Sequence, residues 1–265
     1  MGLLPGLLDA CGASDDHLEA LIADIAVLET RIGAGSANNL LHLEFRRGCA
    51  DAFRVLLQNT DAPMPSWFHA MSLLDLYCHS EGRVDHRDIP CVCIAIAIII
   101  AKLEGACTSK IVNLVNSNEQ MFEVYRKEKD ILDVLQFRTR IPTIASWLNI
   151  FLPRLRLTII DPKLFVCISH LVMCYSQHFA TQNVCLPDSL LQHFAQGLIG
   201  VACIATARIS GWRITQLREA QEAIQVPLLS CMGADIDTLE EDCDTVNHLL
   251  FGMPRVSQQR SFLSI

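Results

Sequence analysis

Apolar residues recur every three to four positions along almost the whole chain, which is the helical period. Leu18, Leu21, Ile22, Ile25 and Leu28 form the first stripe, introduced by Ser14 and the Asp15–Asp16 pair as N-cap and first-turn acid signals. The loop GAGSANN (33–39) closes it, because glycine and asparagine favour turn conformations. The spacing then predicts helices near 41–58, 66–79, 89–104, 109–115 and 117–135. The segment 89–104 is apolar on every side and is expected to be a central buried helix. QFRTRIP (136–142) breaks the pattern, since Pro142 disfavours helix before it and suits the first turn of a new one. Further helices are expected near 142–152, 162–180, 187–209, 213–224 and 237–251, with Asp161-Pro162 and Pro187-Asp188 marking two starts. The run GLIGVACIATA makes the third element of this second half apolar as well. No segment needs a strand. The chain reads as all-α: an N-terminal helix, then two successive sets of five helices, then a tail from Met253.

Composition narrows this picture. At roughly 150 residues per domain, 265 residues make one or two domains. Hydrophobic residues at 51%, charged residues at 19% and a mean hydropathy of +0.31 exclude a disordered chain. A formal net charge of -8 argues against binding nucleic acid through its phosphates. The longest apolar run, Cys91 to Ala101, is too short for a membrane span of roughly 20 residues. MGLLPGLLDACGAS has no positive residues ahead of its apolar stretch, which reads against a secretory leader. Twelve cysteines are scattered without a C-x-x-C and mostly within apolar runs. They read as small buried hydrophobes of a reducing compartment rather than as metal ligands or disulfides. An intracellular protein of nucleus or cytoplasm is expected.

Motifs for enzyme chemistry are missing. None of the nine histidines falls in H-E-x-x-H, no G-x-S-x-G occurs, and Gly33-Ala34-Gly35 lacks the third glycine and the strand of a dinucleotide site. DIDTLEEDCD (235–244) is acidic, but lacks the glycine and closing glutamate of a calcium loop, and reads as a solvated helix start.

Two segments carry more specific information. AIIIAKLEGA (97–106) sets Lys102 and Glu104 at the end of the buried helix. YRKEKDILDVLQFRTRIPT (125–143) sets Glu128 nine residues before Phe137, with Pro142-Thr143 following. This resembles the cyclin box, in which a buried helix ends A-x-K-[FY/L]-E and a later helix reads R-x-E-x-x-I-L-x-x-L-x-F, followed by P-T. Arg126, Glu128, Ile131, Leu132, Leu135, Phe137, Pro142 and Thr143 fit without a gap. Upstream, Arg46, Asp51 and Asp75 stand where the family has an Arg, an Asp five residues later and an Asp in the second helix. The likeness covers about 40–150 well and continues beyond only as a matching helix order. It departs at Phe45-Arg46-Arg47-Gly48-Cys49 and Ala52, where most cyclins carry M-R-A-I-L and a Trp that dock substrates, and at Gly105, where the family has a second acid.

The resemblance implies an N-terminal segment over 1–39, a kinase-binding first box over 40–140, a second box-like domain over 141–252 and a tail over 253–265. It implies a regulatory subunit, not an enzyme, that needs no cofactor and binds and activates a cyclin-dependent protein kinase in cell-cycle control, with that kinase's substrates as further partners. Neither nucleic acid nor a membrane is expected as a partner. Lys102 and Glu128 would be the polar kinase anchors, with Glu104, Leu103, Leu132 and Phe137 beside them. For Lys102 and Glu128 the alternative is an ordinary surface ion pair, and for the apolar residues ordinary packing. Arg46, Asp51 and Asp75 would be structural, with Arg46 and Asp51 pairing inside the box. A cyclin-fold adaptor without a kinase partner is the rival reading.

Overall fold

A computed structural model describes residues 43–81, 84–115, 117–158, 162–182, 191–209 and 236–251. The N-terminal helix expected over the Leu18–Leu28 stripe, the helix expected at 213–224, and cysteines 11, 185 and 231 lie outside the described residues. What is described is entirely helical: α1 Leu43–Gln58, α2 Pro65–Glu81, α3 Ile89–Leu103, α4 Ser109–Val112, α5 Asn118–Val134, α6 Ile144–Thr158, α7 Pro162–Gln182, α8 Leu191–Ile209 and α9 Ile236–Phe251. One boundary differs clearly from expectation. α6 does not stop at 152 but runs through Pro153 to Thr158, although proline removes one helical N–H.

α3 is the hub of the first set. Pro90 in its first turn suits a helix start, where the backbone N–H is unpaired anyway. Ten of its fifteen residues are buried, as an all-round apolar helix requires. α1, α2 and α5 pack against it, and α8 plays the same part among α6, α7 and α9. Phe53, Met71, Ile96, Trp147 and Phe151 are almost fully buried, each contributing about 1.5–3 kcal/mol. Inside, Trp67 Nε1 donates to the Ala50 carbonyl at 2.9 Å, joining α2 to α1. The α8–α9 contact is close because Gly197 and Gly200 have no side chain. A Cβ on Gly197 would lie 2.5 Å from the Asp242 carbonyl oxygen, and one on Gly200 2.4 Å from Cys243 Sγ.

The cysteines divide. Cys49, Cys78 and Cys93 are buried as expected, Cys91, Cys203 and Cys243 are half-buried, and Cys107, Cys167 and Cys174 are exposed. Burial, helped by Asp75, pushes the Cys78 thiol up to about 12, so it stays a neutral core group. Among the described residues, no group of three His, Cys, Asp or Glu could hold a metal ion, and no helix is long and apolar enough to cross a membrane.

Candidate functional site at the ends of α3 and α5

Two helix ends form this site, and both close in the same way. α3 ends at Leu103. The Gly105 N–H then donates to the Lys102 carbonyl at 3.2 Å and the Ala106 N–H to the Ala101 carbonyl at 2.8 Å. Gly105 takes φ +67°, the left-handed residue of a Schellman cap. α5 starts on Ser117, whose hydroxyl accepts from the Gln120 N–H at 3.1 Å. It ends with the Gln136 N–H on the Asp133 carbonyl at 3.1 Å and the Phe137 N–H on the Leu132 carbonyl at 2.9 Å. Here the left-handed places fall to Gln136 (φ 50°) and Phe137 (φ 59°), neither of them glycine.

Those caps present the residues singled out from the sequence. Lys102, in the last turn of α3, reaches Glu128 on α5, with Nζ 2.5 Å from Oε1. The lysine side chain is 52% exposed and the glutamate 10%. The carboxylate is therefore set in the wall while the ammonium keeps a solvent-facing side and two further donors. Leu103 is exposed at 37% and Phe137 at 68%, whereas Leu132 is half-buried against the core. Phe137 thus stands out in solvent on a backbone conformation that disfavours any residue with a Cβ. Phe122 and Tyr125, apolar positions of the helix expected at 117–135, are exposed on α5 as well.

Glu104 faces back toward α2. Its Oε1 lies 3.7 Å from His69 Nδ1, and His69 Nε2 lies 2.9 Å from the Ile141 carbonyl. Nothing local in the sequence marks His69, whose bonded carbonyl is 72 positions away.

Arg46 and Asp75 come together, but Asp51 does not join them. The Arg46 guanidinium grips Asp75 with both terminal nitrogens, Nη2 at 2.9 Å, and its Nε donates to the Ala180 carbonyl on α7 at 2.9 Å. The expected Arg46–Asp51 pair does not form. A separation of five on one helix turns the two side chains about 140° apart. Asp51 instead accepts from Arg54 at 3.0 Å on the exposed face of α1. Arg46 is 5% exposed, so it is an interior fastener of α1, α2 and α7. On the same helix, α1, Phe45 stacks on His86 at 4.1 Å, and the space over Gly48 is open.

As a whole, the α3 and α5 ends offer an ammonium held by a buried carboxylate, flanked by exposed apolar side chains on capped backbone. Such a surface is suited to meeting a protein partner's backbone and apolar groups. No family model and no curated protein matches this chain.

Proposed function

We propose that this chain is a cyclin-like regulatory subunit that binds and activates a cyclin-dependent serine/threonine protein kinase, in the nucleus or cytoplasm. The observation that carries this reading is the Lys102–Glu128 pair at the end of the buried helix, beside exposed Leu103 and Phe137. The packing of α1, α2 and α5 on α3, and of α6, α7 and α9 on α8, supports two cyclin boxes over 40–140 and 141–252. A cyclin acts by binding the active arrangement of its kinase better than the inactive one, with the strand Lys paired to the C-helix Glu and the activation loop displaced. Moving a kinase from mostly off to mostly on takes about 5.5 kcal/mol of differential binding. A broad apolar contact of about 2,000 Å² or more, with Lys102 and Glu128 as charge-assisted anchors, is of the size that can provide it.

A cyclin-fold adaptor is the second reading. It is favoured by Lys102 and Glu128 being partners of one another, as in an ordinary ion pair. The test is a titration of the full chain into a panel of monomeric cyclin-dependent kinases, in parallel with Lys102→Ala/Glu128→Ala checked for intact helix content. Saturable activation that the folded double variant loses supports the kinase reading. Wild-type chain that binds no kinase in the panel rejects it in favour of the adaptor.

A further inference from the structure

We infer that His69 is the positioning residue of the proposed kinase-facing surface, fastening the end of α3 to the segment after α5 so that Glu104 and Phe137 are presented together. The inference deepens the cyclin-like reading and rests on it.

The geometry is that of a two-armed clamp. His69 is on α2, which carries none of the candidate contact residues. One arm runs from Nε2 to the Ile141 carbonyl at 2.9 Å. A carbonyl can only accept, so this nitrogen carries a proton. The other arm runs from Nδ1 to Glu104 at 3.7 Å, an ion pair when the ring is protonated on both nitrogens. Glu104 is the C-cap of α3, two residues after Lys102. Ile141 is four residues after Phe137, and the chain between them leaves the core and returns to it. Arg138 and Phe137 are exposed, while Thr139 and Ile141 are buried. On its upstream side Phe137 is tied by its own N–H to the Leu132 carbonyl. On its downstream side the Ile141–His69 bond is the tie to α2. Releasing it loosens the downstream side of Phe137, which then rests on the Thr139 N–H bond to the Phe137 carbonyl at 2.9 Å and on the burial of Thr139 and Ile141. An interface then loses affinity because the surface must be ordered on binding.

Two substitutions separate the arms. Glutamine places an amide nitrogen near the Nε2 position and retains the Ile141 arm, while alanine removes both. Hydrogen exchange on the free chain reads the clamp without any kinase. In His69→Ala, exchange is expected to rise at 104–106 and at 138–143 together, with α8 unchanged. In His69→Gln it is expected to rise at 104–106 alone. Affinity for the kinase that wild type activates is expected to fall roughly five- to tenfold in His69→Ala, and less in His69→Gln. If His69→Ala loses helix content, His69→Gln is read in its place, and exchange unchanged at 104–106 or unaltered affinity in it overturns the inference. Exchange that stays unchanged at either segment in His69→Ala, or unaltered affinity in that variant, overturns the inference while leaving the cyclin-like reading in place. Wild-type chain that binds no kinase removes the cyclin-like reading, and the positioning role with it, whatever the exchange shows.

Discussion

Gly105 and Gln136 occupy the same place in two successive helix ends, the left-handed position that closes α3 and α5 respectively. One is the residue type that takes this conformation without cost, and the other is not. Gly105→Ala is expected to destabilise the chain by about 1 kcal/mol, and purely through the backbone, because a Cβ there would meet nothing within 4 Å. Gln136→Gly is expected to stabilise by a similar amount. Denaturant midpoints of the two variants test this, and a shift of the same sign in both contradicts it.

Arg46 and Asp51 are separable by the same measurement. Arg46→Ala strips Asp75 of its partner and leaves the Ala180 carbonyl without its donor, for a loss of about 2–3 kcal/mol. Arg46→Lys restores little, since one ammonium cannot reproduce a fork that spans three acceptors. Asp51→Ala, by contrast, removes only an exposed pair and is expected to change stability by no more than about 0.5 kcal/mol. Comparable losses in Arg46→Ala and Asp51→Ala would show that Asp51 shares the interior network.

The α8–α9 crossing gives an ordered pair of effects. At Gly197 an added methyl meets the Asp242 backbone and Val246, so the helices must separate, for about 2–3 kcal/mol. At Gly200 it meets only the end of the Cys243 side chain. Gly200→Ala is therefore expected to cost less, and the cost to shrink in Gly200→Ala/Cys243→Ala. The double-mutant cycle checks this, and strict additivity would remove the explanation.

The same crossing carries a pH dependence. Burial holds the Asp242 carboxyl above its ordinary range, and the hydrogen bond from His193 Nδ1 at 3.1 Å offsets part of the rise. The folded chain therefore keeps this proton at pH values where the unfolded chain has lost it. Its contribution to stability is fully present at low pH and is lost as pH rises through the window that opens near the unfolded value of about 3.9. Asp242→Asn has no such group. Its stability relative to wild type is expected to increase as pH rises from the unfolded value of about 3.9 through the raised folded value. A difference that stays flat, or slopes the other way, rules the assignment out.

How legible the molecule was depended on the range of the interaction concerned. α3 could be read directly, because a helix buried on all sides leaves its mark on each of its own residues. Gly105 could have been read as a helix stop, but was read as a missing acid. Asp51 was misjudged because a linear spacing was given a pairing that helical rotation forbids. Arg46–Ala180 and His69–Ile141 join groups 134 and 72 positions apart. No local pattern announces such bonds, since they exist only once α7 and the segment after α5 have packed.

The Arg46–Ala180 bond also has a consequence in time. At roughly 5–20 residues per second of synthesis, the 134 positions between donor and acceptor take on the order of ten seconds to make. During that interval a nascent chain lacks the Ala180 acceptor for the Arg46 Nε proton, while α1 and α2 are already joined through Asp75 and through the Trp67–Ala50 bond. The seam that α1 shares with α7 thus stays open until α7 has left the ribosome, and a holding chaperone would find it accessible for that interval.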